Sequence, residues 1–233
     1  MKTILFQGDS ITDARRNRDC EDYSGSGYAT MVKGALGAEY PGRFQFLNRG
    51  VGGNRIIDLH ARVKADLLNL HPDYLSILIG LNDVWHEVAR HNGVDTDKYE
   101  LLYNMLIQEI QKALPSVQIM ILEPFLLKGS AVDELQGYSP EEAWSLMWTG
   151  VCEKAAAARR VAEGNHLPFI PLQSVFDDAL QYAPASYWLI DGIHPTAMGH
   201  KLIADEWIRT FKRSFLMERG RRSAQGTPGE TAA

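Results

Sequence analysis

Five short apolar runs, each followed by a turn and then by a stretch of helical periodicity, constrain the fold of this chain more than any other feature. The runs cover residues 2–7, 44–48, 74–79, 117–122 and 167–171. Their length and their β-branched and aromatic content are those of strands covered on both faces. Helical patterns occupy residues 28–39, 56–70, 97–114, 140–163 and 195–215, and Pro41-Gly42, His71-Pro72-Asp73 and Pro115 fall at their ends as helix breakers do. Strand and helix in alternation predict an α/β fold, a parallel sheet with helices on both sides. Three segments, 13–27, 82–96 and 125–139, read as long irregular loops, which in a compact domain usually carry function or are mobile. Residues 1–217 are expected to form one domain. Residues 218–233, rich in Arg, Gly, Ser, Thr and Pro, are expected to be a flexible tail.

Charge and cysteine usage exclude several classes of partner. The formal net charge is −5, which leaves no basic field to recruit nucleic acid or an anionic membrane. No apolar run reaches the roughly 18 residues that would span a bilayer. Cys20 and Cys152 make no disulfide framework and are compatible with a reducing cytosol. The N-terminal run passes from Ile4-Leu5-Phe6 straight into Gln7-Gly8-Asp9-Ser10 without a signal-peptide core, so a cytoplasmic location is expected.

The chemistry-bearing residues fall where the expected strands end, and in an open α/β sheet ligands collect at the carboxyl ends of strands. The first strand ends in Gly8-Asp9-Ser10, and a serine there can present its hydroxyl to a cleft. The second ends in Asn48-Arg49-Gly50-Val51-Gly52-Gly53-Asn54, whose glycines let the backbone approach a ligand and point N–H groups at one spot. This is not a dinucleotide fingerprint, because Arg55 stands where the last glycine would be, and no Gly-Lys-Ser/Thr follows to make a phosphate loop. The third ends in Gly80-Leu81-Asn82-Asp83, with an amide able to face a developing oxyanion. Asp191-Gly192-Ile193-His194-Pro195 precedes the last helix, and an Asp three residues before a His can hold the tautomer that accepts a serine proton. Each feature alone is equally a helix cap, an Asx-turn, a tight βα turn or a surface histidine. Together they are the parts that acyl transfer requires: nucleophile, oxyanion donors, base and orienter.

With these blocks in order, the sequence resembles the SGNH (GDSL-type) hydrolases over residues 2 to about 207. The resemblance implies a three-layer, flavodoxin-like α/β/α domain with a five-stranded parallel sheet, and neither metal nor organic cofactor. Carried over block by block, it implies Ser10 as nucleophile, His194 as base and then acid, and Asp191 as its orienter. The oxyanion donors implied are the backbone N–H of Ser10, that of Gly53 five residues after Asn48, and the Asn82 side chain. Gly52 stands where many members have serine. The absence of a Gly-x-Ser-x-Gly elbow argues against the ordinary α/β-hydrolase fold.

Gly-Asp-Ser-Ile-Thr-Asp, Gly-Leu-Asn-Asp-Val-Trp and His-Pro-Thr-Ala-Met-Gly-His resemble a carbohydrate-acetylesterase branch that includes acetylxylan esterases. The implied substrate is a small-molecule ester, an acetylated oligosaccharide such as a xylo-oligosaccharide. Asp9, Tyr23, Trp85, Tyr187 and Trp188 are the expected substrate-side residues, the aromatics walling an acetyl pocket or stacking on a sugar. The alternative within enzymes is a broad aryl or lipid esterase, of lysophospholipase or thioesterase type. A catalytically silent binding module would be expected to have lost one of Ser10, Asn82, Asp191 or His194, and all four are present. Family members occur as monomers and as homo-oligomers, so self-association stays open.

Four other features read as structural. His86 and His91 are five apart, on different faces of a helix, and do not fit a helical zinc motif. Trp144 and Trp148 share a helix face and suggest core or interface. Arg15, Arg16 and Arg18 are surrounded by Asp13, Asp19, Glu21 and Asp22. His200 falls within a helix pattern.

Overall fold

Side chains alternate across each strand of the sheet, so a strand buried on both faces feeds two cores at once. In the computed structural model, which describes residues 1–217, Ile4 and Phe6 enter one hydrophobic cluster while Leu5 between them enters another. The expected tail, 218–233, lies outside the described residues. The chain runs β1 (Lys2–Gly8), α1 (Ser10–Asp13), α2 (Tyr28–Glu39), β2 (Phe44–Gly50), α3 (Ile56–Asp66), β3 (Tyr74–Leu78), α4 (Leu81–Arg90) and α5 (Thr96–Ala113). It continues through β4 (Gln118–Leu122), α6 (Ser130–Asp133), α7 (Pro140–Gly164), β5 (Phe169–Ile170), α8 (Leu172–Ala179), α9 (Ala185–Trp188) and α10 (Ala197–Phe211).

All strand pairs are parallel, in the order β2-β1-β3-β4-β5. This is the flavodoxin-like order, and the chain reverses its direction of travel between β1 and β3, where such folds bind ligands. Register aligns the edge: Gly8 of β1 pairs with Gly50 of β2 and Leu78 of β3. The loops that follow these three strands therefore open together.

Helices α2, α8 and α10 cover one face through Tyr28, Val32, Phe176, Ile203 and Trp207, with the Phe6 ring 5.3 Å from Trp207 and 5.8 Å from Tyr28. Helices α3, α5 and α7 cover the other through Leu59, Tyr103, Ile107, Ala158 and Val161. The small Ala157 and Ala158, fully buried, let α7 lie close to its neighbours. Helix α7 starts where its sequence dictates: Ser139 accepts the Glu142 N–H, Glu142 accepts the Ser139 N–H, and Pro140 occupies the first turn.

The structure departs from the sequence reading at several places. Residues 82–96 are not an irregular loop; most of them form α4, because Leu81, Val84, Trp85 and Val88 make a helical stripe that packs on Leu126, Val132 and Met147. Helix α8 was not expected, yet Leu172, Phe176 and Ala179 repeat at helical spacing and are buried. Residues 125–139 contain the short α6. The expected 56–70 helix ends at Asp66 and passes into a 3₁₀ turn at Leu68–Leu70. The last helix starts at Ala197 and passes into a π turn at Lys212–Met217, and β5 is only two residues.

Candidate active site

Strand β1 delivers Ser10 to the edge through a turn with no spare room. A Cβ on Gly8 would collide with Thr12 Oγ1 and with the Leu78 carbonyl. Asp9 accepts the Ile11 N–H (3.0 Å) and so caps the short α1, which begins at Ser10. Asn48, at the end of β2, donates to the carbonyls of Thr12 (2.6 Å) and Ser24 (2.9 Å) and accepts the Gly50 N–H. The loops after β1 and β2 are thereby fastened to each other.

Ser10 Oγ lies 3.1 Å from His194 Nε2, and His194 Nδ1 lies 2.7 Å from Asp191 Oδ2. The other oxygen, Asp191 Oδ1, accepts the N–H groups of Ile193 (2.9 Å) and His194 (2.8 Å), which curls the loop back on the carboxylate. Burial alone would raise the Asp191 carboxyl. The hydrogen bonds from the His194 ring and from the two backbone N–H groups outweigh it and hold the group at about 2. In return, the Asp191 carboxylate raises the His194 pKa above the ordinary imidazole value against the opposing effect of burial. This loop is stitched to the first turn of α6 and the segment before it, with Ala131 N–H donating to Asp191 O and Leu127 N–H to Gly192 O, each at 3.0 Å. Gly129 has to be small, since a Cβ there would run into the Asp191 carbonyl.

Asn82 stands at the start of α4, 8% exposed, after Gly80, whose φ of +134° turns the chain sharply out of β3. Its Nδ2 lies 3.4 Å from Asp9 Oδ2. The glycine loop after β2 passes the serine: a Cβ on Gly52 would be 3.7 Å from Ser10 Cβ, and Gly53 takes a left-handed φ of +79°. Arg62 clamps this loop from α3. It donates to Asn54 Oδ1 (2.7 Å) and to the carbonyls of Arg49 (2.7 Å) and Gly8 (3.1 Å), joining the ends of β1 and β2 to the glycine turn. Nothing in the sequence marked Arg62 for this role.

Two cavities of about 660 Å³ each meet at Asp191 and His194. One contains Ser10 and Gly52, with Ile11, Ala14, Ile190 and Pro195 on its walls. The other, between α4 and α6, contains Asn82, Trp85, Arg90, Glu134 and Gln136. Of the expected substrate-side residues, Trp85 lines the second cavity. Tyr23 is 69% exposed, Tyr187 packs edge-on against Trp188, and these three line neither cavity. Asp9 is 1% exposed, its oxygens turned to Ile11 and Asn82.

The features read as structural have local partners. His200 Nδ1 accepts the Tyr28 N–H, and burial lowers its pKa to about 4, so the ring is neutral. Trp144 and Trp148 stack with centroids 5.4 Å apart. Arg16 donates to the Gly50 carbonyl and Arg18 pairs with Asp13. Among the described residues no cluster of three His, Cys, Asp or Glu side chains is arranged to hold a metal ion, and no helix is long and apolar enough to cross a membrane.

A hydroxyl facing an imidazole at the switch point of a doubly wound sheet, with an amide donor across the crevice, suits attack on an acyl carbon. Carboxylic ester hydrolysis is the class of this protein. More narrowly, the chain belongs to the GDSL-like lipase/acylhydrolase family, whose model matches residues 6–202. It is 30% identical over 227 residues to an acetylxylan esterase of Geobacillus stearothermophilus, covering 93% of this chain and 96% of the relative. A putative GDSL-like lipase from Parabacteroides merdae superposes with a TM-score of 0.79 at 35% identity, covering 90% of this chain and 94% of the other. The Axe2 acetylxylan esterase of G. stearothermophilus superposes with a TM-score of 0.75 at 30% identity, covering 90% and 93%.

Proposed function

We propose that the chain is a serine esterase that removes acetyl groups from carbohydrate, xylo-oligosaccharides foremost, through an acyl-enzyme on Ser10. The observation that carries the reading is the continuous hydrogen-bonded line from Ser10 Oγ through His194 to Asp191, with Asn82 beside it. The kinship to an acetylxylan esterase supports the choice of acetyl ester and of sugar.

In this reading His194 Nε2 takes the Ser10 proton as Oγ forms a bond to the ester carbonyl carbon. The carbonyl π electrons move onto oxygen, and the oxyanion receives hydrogen bonds from the N–H groups of Ser10 and Gly53 and from Asn82 Nδ2. As the tetrahedral intermediate collapses, the C–O bond to the sugar breaks and His194 returns its proton to the departing oxygen. Water then repeats the cycle on the acyl-serine, releasing acetate and restoring Ser10. Asp191 keeps Nδ1–H directed at itself and Nε2 free throughout. Trp85 offers the sugar an aromatic face beside Arg90, Glu134 and Gln136. The free thiols Cys20 and Cys152 suit a reducing cytoplasm, where the substrate is a short oligosaccharide and not polymer.

The test compares wild type with Ser10→Ala on p-nitrophenyl esters from acetate to palmitate, alongside acetylated xylo-oligosaccharide. Dominant acetate turnover, release of sugar-bound acetate and a dead Ser10→Ala are expected. Rates that peak on long acyl chains would transfer the substrate assignment to a lipid esterase, and an active Ser10→Ala would remove the nucleophile.

A further inference from the structure

Asp83 follows Asn82 in sequence but points away from the crevice. It is 1% exposed, and both its oxygens face the backbone N–H of Ile56, at 3.1 and 3.2 Å. Ile56 is the first residue of α3, three positions after Gly53. One end of Asp83 is thus the segment that carries the Asn82 amide, and the other end is the helix start that fixes the glycine loop. We propose that Asp83 is a positioning residue for the esterase reaction, holding the Asn82 amide and the Gly53 N–H in mutual register by accepting the Ile56 N–H.

The surroundings of Asp83 fit a fixed strut. Its own carbonyl accepts the Val94 N–H, which closes the turn after α4, and a Cβ on Gly93 would collide with that carbonyl. Asp83 shares a small cavity with Lys154 of α7, itself 4% exposed, whose Nζ donates to Thr96 Oγ1 at 2.8 Å. Burial raises the Asp83 carboxyl to about 8, opposed by the Ile56 hydrogen bond and the Lys154 charge. The group therefore serves as an acceptor whether or not it carries charge, as an architectural contact requires. A displacement of about an ångström between oxyanion donors is enough to cost a large part of their effect, since they act on a single developing charge.

This inference rests on the reading of Asn82 and Gly53 as oxyanion donors, and its test separates the two. Wild type, Asp83→Ala and Asp83→Asn are first titrated with a serine-reactive fluorophosphonate, so that kcat on p-nitrophenyl acetate is expressed per reactive Ser10. Asp83→Ala should lose about tenfold or more in kcat per labelled site with KM nearly unchanged. Asp83→Asn, which keeps an acceptor oxygen for Ile56, should stay within about threefold of wild type. In an Asn82→Ala background the Asp83→Ala loss should shrink, because one of the two donors it aligns is already gone. Equal losses in both backgrounds, an unchanged kcat per site, or an Asp83→Asn as poor as Asp83→Ala would overturn the proposal. Failure of wild type to label would overturn the Ser10 reading instead. Should Asp83→Ala not fold, Ile56→Pro carries the test, since proline suits the first helical position and removes the N–H that Asp83 accepts. Ile56→Ala, which keeps the N–H, is the control for loss of the buried side chain, and an Ile56→Pro no worse than Ile56→Ala would overturn the proposal. An Ile56→Pro with kcat per site near wild type would equally overturn it.

Discussion

Asp9 touches Asn82 and the turn of Ser10 with different oxygens: Oδ2 lies 3.4 Å from Asn82 Nδ2, while Oδ1 accepts the Ile11 N–H. An asparagine amide has two N–H groups, and a carboxylate that engages one leaves the other to point into the crevice. Only a side chain with two acceptors can hold both partners. Asp9→Asn can keep the helix cap through its one acceptor oxygen only by setting its NH₂ against that of Asn82, so the Asn82 orientation fails. A kcat reduced by about tenfold or more with a largely preserved Tm is expected, and steady-state kinetics beside thermal unfolding would measure both. Burial raises Asp9 to about 6, so the two-acceptor form prevails at neutral pH and is lost as pH falls below that value.

The pH dependence of turnover follows from the coupling of His194 to Asp191. In the proposed mechanism the neutral imidazole is the working base, and Asp191 raises its pKa. The ascending limb of kcat/KM should therefore lie above the ordinary imidazole value of about 6.5. Asp191→Asn should move that limb to lower pH and lower kcat by up to about 10⁴. Profiles of both proteins on p-nitrophenyl acetate decide it; a limb that stays in place in the variant would break the assignment of Asp191.

Gly129 gives a purely steric prediction. Its backbone is extended, with φ of −179°, so any residue could adopt it, but a Cβ would meet the Asp191 carbonyl. Gly129→Ala should push the Asp191–His194 loop away from Ser10, costing about 1–3 kcal/mol of stability together with activity. A melting curve that drops by several degrees, read with kcat, is the expected result.

Trp85 separates substrate binding from chemistry. It lines the cavity between α4 and α6 and lies one helical turn from Asn82. Trp85→Ala should raise KM for acetylated xylo-oligosaccharide by about tenfold, the loss of roughly 1–1.5 kcal/mol of stacking. Turnover of p-nitrophenyl acetate should change much less. Equal effects on both substrates would place Trp85 in the packing of α4 alone.

The parts of the fold legible in sequence were those with long or uniform patterns. Strands buried on both faces appear as unbroken apolar runs, and the five runs match the five strands to within a few residues at each end. Helix α4 was missed because its apolar stripe is narrow and its other faces carry Asn82, Asp83, His86 and Glu87. Helix α8 was hidden behind the two-residue β5. At the site, the motif blocks located Ser10, Asn82, Asp191 and His194, which the fold brings to one crevice. The supports were not legible: Arg62 reaches the ends of two strands and the glycine turn from a helix face, and Asp9 meets Asn82 across 73 positions of sequence. Such partners share no spacing rule; only the strand order makes them neighbours. The aromatic expectation was too broad, since Tyr23, Tyr187 and Trp188 lie away from the two cavities while Trp85 lies in one.

Ser10 and His194 are separated by 184 positions of sequence yet share a hydrogen bond. In order of synthesis the serine comes just after β1, an interior strand of the sheet, and the imidazole only after all five strands. Until then, in the proposed mechanism, the hydroxyl has no base beside it and is an inert alcohol in a nascent chain. Hydrolytic competence arrives late, when the loop before α10 docks beside the turn after β1. In the proposed mechanism, catalysis therefore reports that the loop carrying His194 has docked, and fragments ending before His194 would be silent.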